Sequence, residues 1–271
     1  MSMTFDHIVH TQDIALYQDG CPTLIEESLA SEVRVALIYN GISHTVMMAT
    51  PRDLEHFAVG FTLSERIVEN ISEIKSIDIE SVENGVLVYI EITQRRFMAL
   101  KEQQRNMAGR TGCGLCGVAK LEQAIKPVIP VESETVFNIH HLVPALAALR
   151  DQQETFKVTG ATHAAMGIFS DGEIAGSFED IGRHIALDKL IGCVSRKGER
   201  KPDAVLLTSR ASFEMVQKVA SAGIPVIFAM SAVTSLARDL AEKSNITLVG
   251  FCRNNRATVY THGRRITANA L

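Results

Sequence analysis

Apolar runs broken by turn residues organise the first third of the chain. Val33 to Tyr39 is followed by Asn40-Gly41 and then by Ile42 to Met48. Asn-Gly supplies the positive φ angles of a tight turn, so this segment predicts a hairpin. Pro51 is expected to open a helix in which Leu54, Phe57, Ala58, Phe61 and Leu63 form an apolar stripe. Ile74 to Ile79 and Val86 to Ile92, separated by Glu83-Asn84-Gly85, predict a second hairpin. Residues 1–93 therefore read as a small α+β domain.

Residues 94–130 end in Pro127 and Pro130 and read as a connecting segment. From Asn138 the pattern changes to regular alternation. It predicts a helix from His140 to Arg150, a short apolar segment around His163 and a hairpin through Ser170-Asp171-Gly172. Helix Arg183 to Cys193, strand Ala204 to Thr208, helix Phe213 to Ala222, strand Val226 to Met230, helix Leu236 to Lys243 and strand Thr247 to Phe251 follow. Such repeated β-α units predict an α/β domain over 131–271, with a largely parallel sheet covered by helices on both faces.

The 271 residues are 46% hydrophobic, enough for a substantial core, and the formal charge is -4. The first residues carry neither a basic nor an apolar targeting pattern, and the apolar run from Ile224 to Val233 is too short to span a bilayer. A soluble, cytoplasmic protein is expected. Five cysteines is an odd number, and Cys21, Cys193 and Cys252 are scattered singly, which argues against a secreted disulfide framework.

The other two cysteines form Cys113-Gly114-Leu115-Cys116, set among Gly112, Gly114 and Gly117 and followed by a helical pattern from Val118. A pair at this spacing suits one metal, one disulfide or one relayed sulfur atom. The adjoining helix N-terminus favours thiolate. Arg95, Arg96, Lys101, Arg105, Arg110, Lys120 and Lys126 surround the pair, opposed only by Glu102 and Glu122. A basic patch in an acidic chain points to an anionic ligand or partner.

A second set of candidates lies beyond the predicted strand ends, where open α/β sheets bind ligands. Ser209, Arg210 and Ser212 follow one strand, Ser231, Thr234 and Ser235 the next, and Cys252, Arg253, Asn254, Asn255 and Arg256 the last. Arg183 and His184 sit at the start of a helix, an unfavourable place for cations unless an anion shares it. Taken singly, Ser212 and Ser235 read as helix caps, Asn254-Asn255 as a turn, and His163 as a core histidine. Taken together, the clusters point to a phosphate-bearing ligand.

Gly109 to Gly117, Thr162-His163-Ala164-Ala165, Glu179 to Lys189 and Thr208 to Ser212 together resemble the FdhD family of formate dehydrogenase accessory sulfurtransferases. Val35 to His44 and Gly250 to Tyr260 extend the resemblance over nearly the whole chain. It implies sulfur transfer from a cysteine desulfurase, through a cysteine persulfide, to the molybdenum cofactor bis-molybdopterin guanine dinucleotide before that cofactor enters formate dehydrogenase. Cys113 matches the persulfide-carrying cysteine, Cys116 its partner, and Phe251 to Arg256 the cofactor-binding segment, whose site would also admit a guanine nucleotide such as GDP. The family further implies a homodimer and a C-terminal domain with a cytidine deaminase-like fold. In zinc deaminases a general acid/base Glu stands two residues after the zinc-bound His, whereas Ala165 stands two residues after His163, so hydrolytic deamination lacks its proton carrier. No zinc, nucleic acid or membrane is expected as a partner. A cofactor-binding chaperone without catalysis is the alternative from another class, and a redox or metal site is a third.

Overall fold

A computed structural model describes residues 8–108, 129–198, 200–253 and 256–268, with backbone alone for 103–108. Cys113, Cys116, Asn254 and Asn255 lie outside the described residues.

The chain begins with a hairpin that its apolar pattern does not announce. Strands β1 (Val9–Gln18) and β2 (Cys21–Ala30) pair antiparallel around Asp19 and Gly20, both at positive φ. Leu16, Tyr17 and Leu24 are exposed along it. With both faces of the ribbon largely in solvent, no alternation of buried and exposed positions is imposed on the sequence.

The next unit matches its expected hairpins. Strands β3 (Val33–Tyr39) and β4 (Ile42–Ala49) join through Asn40 at φ 45° and Gly41 at φ 81°. Helix α1 (Leu54–Ser64) follows, then β5 (Ile74–Val82), β6 (Gly85–Ile92) and α2 (Gln94–Ala108). The sheet order is β4-β3-β6-β5, with β3 and β6 parallel. Val35, Leu37, Val88 and Ile90 on its inner face pack against Leu54, Phe57, Ala58 and Phe61 of α1 and Phe97 and Leu100 of α2. Pro51 does not open α1. Asp53, in a left-handed conformation, precedes its first residue.

Beyond the connection come β7 (Phe137–Asn138), α3 (Leu142–Gln152), α4 (Glu154–Thr159), β8 (His163–Ile168), β9 (Ile174–Asp180) and α5 (Arg183–Lys197). Then β10 (Ala204–Leu207), α6 (Phe213–Ala222), β11 (Val226–Ala229), α7 (Ser235–Lys243), β12 (Thr247–Arg253), β13 (Arg256–Val259) and β14 (Ile266–Thr267) complete the chain. The main sheet has the order β13-β12-β11-β10-β8-β9. It is mixed, correcting the expectation of a largely parallel sheet: only the β10-β11 and β11-β12 pairings are parallel, while β8 pairs antiparallel with both β10 and β9, and β13 with β12. Both faces are covered, as expected. Ala165, Val205, Leu207, Ile227 and Leu248 face α5, α6 and α7, and Met166, Leu206, Phe228 and Val249 face Phe137 and α3.

Helix α5 joins the two sheets. A Cβ on Gly60 would fall on the Asp188 carbonyl, and one on Gly192 on the His56 carbonyl, so only glycine permits α1 and α5 to cross this closely. Charged residues of the motif from Glu179 to Lys189 are consumed here. Fully buried Asp180 accepts from Lys189 Nζ at 2.7 Å and from the Thr50 hydroxyl at 2.7 Å. Fully buried Asp188 accepts from Lys218 Nζ at 2.9 Å and from Ser64 Oγ at 2.7 Å. Glu179 accepts the Thr155 and Phe156 amides and the Thr162 hydroxyl, which ties α4 to the sheet. These acids and lysines hold the fold together.

Candidate functional site

Three parallel strands and two antiparallel neighbours place five chain segments at one end of the main sheet. Because β8 runs against β10, its first residue, His163, lies beside the segment that leaves β10, and His163 pairs across to Asp180 at the end of β9. The Ala164 amide donates to Thr208 Oγ1 at 2.9 Å, and His163 Nδ1 is 3.5 Å from the same oxygen. A parallel bridge between Ala211 and Val233 joins the segments that follow β10 and β11. The Phe251 amide then donates to the Ser231 carbonyl at 3.0 Å. The polar clusters expected beyond the strand ends thus form a continuous rim: Arg183 and His184, His163, Ser209 and Arg210, Ser231, Phe251, Arg253 and Arg256.

Local geometry shows why particular residues occupy this rim. Gly250 lets β12 pass close to the segment that follows β11, since a Cβ there would lie 2.8 Å from Val233 Cγ2 and 3.1 Å from the Tyr260 ring. Phe251 holds φ at 52°, the left-handed region that a bulky residue rarely adopts, and the Arg256 guanidinium lies 5.0 Å from its ring centre. Strain of this kind persists only where the surroundings hold it.

The N-termini of α5 and α6 open onto the same end. Neither is capped by a side chain, and Thr234, rather than Ser235, caps α7 by accepting the Ala237 amide. Ser212 occupies the cap position of α6 with its hydroxyl buried and without a hydrogen-bond partner among the described residues, and the same holds for Arg183 Nε. Uncapped N-H groups, a guanidinium and a free hydroxyl match an anion's oxygens. Burial, then the charges of Arg183 and His184, push the His163 pKa below the usual imidazole range. Burial likewise lowers that of His184 against the pull of Glu214.

Glu214 was not foreseen as part of this site. Its Oε2 lies 2.8 Å from His184 Nε2 and 4.0 Å from Arg183 Nη2. The sequence signal was an acid in the first turn of a helix, a common arrangement that gives no hint of a partner thirty residues away. His184 and Glu214 also line a cleft of about 280 Å³ with Met47, Phe61, Phe213 and Lys218.

Two expectations need adjusting. Cys252 reaches the rim through its backbone only: the side chain is fully buried in the core, and burial raises the thiol pKa to about 12. Within the basic patch, Arg95 and Arg96 are held by Glu73 at 3.0 and 2.9 Å, and Lys101 lies over the Phe97 ring. The charge of the two arginines is thus offset locally by acids. Arg105, Arg110, Lys120 and Lys126 belong to stretches whose side chains lie outside the described residues. Among the described residues no group of histidines, cysteines and acids converges as a metal site, and no helix is long and apolar enough to cross a membrane.

The Sulfur carrier protein FdhD of Shewanella oneidensis is 64% identical over 259 residues, covering 96% of this chain and 93% of that protein. A formate dehydrogenase accessory protein from Desulfotalea psychrophila superposes with a TM-score of 0.74 at 23% identity, over 96% of this chain and all of the other, and shares the mixed α/β fold. The FdhD/NarQ family matches residues 30–267, from the end of β2 to the last strand, and the chain belongs to that family.

Proposed function

We propose that this chain is a sulfur carrier that takes sulfur from a cysteine desulfurase and delivers it to the molybdenum cofactor, bis-molybdopterin guanine dinucleotide, in support of formate dehydrogenase. The observation that carries this reading is the strand-end rim, where two helix N-termini without side-chain caps meet Arg183 and the exposed Arg210, Arg253 and Arg256, groups suited to phosphate oxygens. The same chain carries the glycine-flanked Cys113 and Cys116. The name of the Shewanella relative supports the sulfur half, and that of the Desulfotalea protein supports the link to formate dehydrogenase. The α/β/α layering of residues 131–271 supports reading that unit as a cytidine deaminase-like scaffold turned to holding a nucleotide.

In this mechanism Cys113 thiolate attacks the outer sulfur of the donor persulfide. The donor S-S bond breaks, its electron pair leaves with the donor cysteine, and Cys113 becomes the persulfide. Cys116 thiolate then attacks Cys113 Sγ, forming a disulfide and expelling the outer sulfur as hydrosulfide to the cargo. A cellular dithiol restores both thiols. The cargo's pyrophosphate is held at the rim by Arg183, Ser212 and the helix amides, with Phe251 and Arg256 bordering the far side.

Intact-mass measurement after incubation with a cysteine desulfurase and cysteine tests the reading. Wild type gains one reductant-sensitive sulfur, and Cys113→Ala gains none. Wild type without added sulfur would overturn the carrier role and favour a cargo-binding chaperone.

A further inference from the structure

One contact at the rim constrains the chemistry of His184. Its Nε2 is 2.8 Å from Glu214 Oε2, and its Nδ1 makes no hydrogen bond among the described residues. A carboxylate can only accept, so Nε2 must carry the hydrogen, and the neutral ring then presents a bare lone pair at Nδ1. A lone pair repels an anion's oxygen. This ring can serve an anionic ligand only after Nδ1 has taken up a proton.

The groups facing His184 sharpen the point. Arg183 lies beside it on α5, Lys218 and Glu214 come from α6, His163 approaches from β8, and Glu65, the residue that follows α1, lines the cleft that the ring also borders. Among these, Glu214 is the acid in direct contact with the imidazole. It stands in the first turn of α6, where a negative charge is favoured, and faces the first turn of α5, where Arg183 and His184 are not. Across the gap between two helix N-termini, one acid thus both orients the ring and stabilises the imidazolium that an anion would induce.

We propose that Glu214 is the positioning residue of the strand-end site, holding the His184 ring by Nε2 so that anion binding and protonation of Nδ1 occur together. The inference rests on the anion-binding reading of the rim and adds its regulation: ligand uptake takes up a proton and strengthens as pH falls. The sign follows from linkage. The bound state raises the His184 pKa above its ligand-free value, so affinity grows on acidification through that interval, by at most about tenfold per pH unit for one proton.

Sulfate serves as the probe, since its own charge is constant across the range, with sodium chloride at matched ionic strength as the control for screening. Nitrogen-15 NMR of histidine-labelled full-length protein, assigned with His184→Gln and His163→Gln, reads both tautomer and titration. In wild type, neutral His184 carries its hydrogen on Nε2, and sulfate moves its midpoint upward. Glu214→Gln releases the tautomer, because an amide can donate to Nε2, and sulfate then binds with a weaker pH dependence and little proton uptake. Glu214→Asp, which keeps an acceptor-only group, retains the linkage. An unchanged tautomer and midpoint in Glu214→Gln, or sulfate binding that leaves the His184 midpoint in place, would overturn the proposal. No sulfate binding to wild type at any pH would overturn the anion reading itself and this inference with it.

Discussion

Lys218→Met removes the cation from the buried pair that locks α6 to α5 beneath the site. Lys218 Nζ donates to both oxygens of Asp188 at 2.9 Å and to Ser64 Oγ at 2.9 Å, and the Asp188 carboxylate has no exposure to solvent. After the substitution that carboxylate keeps only the Ser64 hydroxyl, at 2.7 Å. Breaking one side of a buried pair leaves an uncompensated charge and costs about 3–5 kcal/mol. For a chain of this size that corresponds to a fall in Tm of roughly 10 °C. Glu65 loses the same cation at 3.0 Å but, at 27% exposure, keeps contact with water and adds less to the loss than Asp188. The pH dependence separates this cause from simple loss of packing. In the wild type, burial would depress the Lys218 pKa, but Asp188 and Glu65 hold it above the ordinary lysine value. Lys218's contribution is therefore present below the unfolded lysine pKa and is lost as pH rises through the folded one, in the alkaline range, while protonation of Asp188 weakens the pair on acidification. Burial raises the Asp188 pKa above its ordinary value even in the intact pair, against the pull of Lys218 and Ser64, and removing Lys218 lets it rise further. The deficit is then largest at neutral pH and shrinks as the solution is acidified toward pH 5 and the carboxyl is protonated. Thermal unfolding monitored by circular dichroism at pH 5 and 7.5, with Asp188→Leu and the double variant closing the cycle, measures it. The double variant should be more stable than Lys218→Met at pH 7.5. A single variant within about 1 kcal/mol of wild type at both pH values would refute the assignment of this pair as desolvated and tightly coupled.

Three further outcomes are expected. Gly192→Ala forces α1 and α5 apart against backbone on both sides and should cost about 3 kcal/mol or more, whereas Gly176→Ala, whose nearest neighbour is the Phe178 ring at 3.4 Å, should cost far less; urea unfolding midpoints compare them. Native protein at pH 8 should leave Cys252 unmodified by iodoacetamide, because burial lifts its thiol to about 12, while exposed Cys21 reacts; peptide mass mapping reads both, and rapid labelling of Cys252 would contradict its burial. Phe251→Gly should relieve left-handed backbone strain of about 1–3 kcal/mol yet remove the ring beneath Arg256, so stability is kept or improved while pyrophosphate affinity, followed by calorimetry, falls.

Much of this protein is local in origin and was open to reading from the chain. Asn40-Gly41 determines a hairpin because the turn's backbone angles belong to those two residues. The βα alternation after Asn138 follows from periodicity, and the positions beyond strand ends follow from it in turn. Cys113-x-x-Cys116 announces thiol chemistry by spacing alone. What the tertiary structure decided are relations between residues far apart in the chain. The direction in which β8 enters the sheet sets His163 beside Thr208, and no local pattern distinguishes that antiparallel entry from a parallel one. The hairpin of β1 and β2 left no period because burial writes the period, and most of that ribbon is exposed. Asp180, Asp188 and Lys189 sit in a motif that carries the family resemblance, yet their partners, Thr50, Ser64 and Lys218, arrive from other elements to make them structural. Glu214 shows the converse: as a first-turn acid it is ordinary, and it gains its part in the site only because α5 and α6 bring two helix N-termini together, where one carboxylate meets one imidazole.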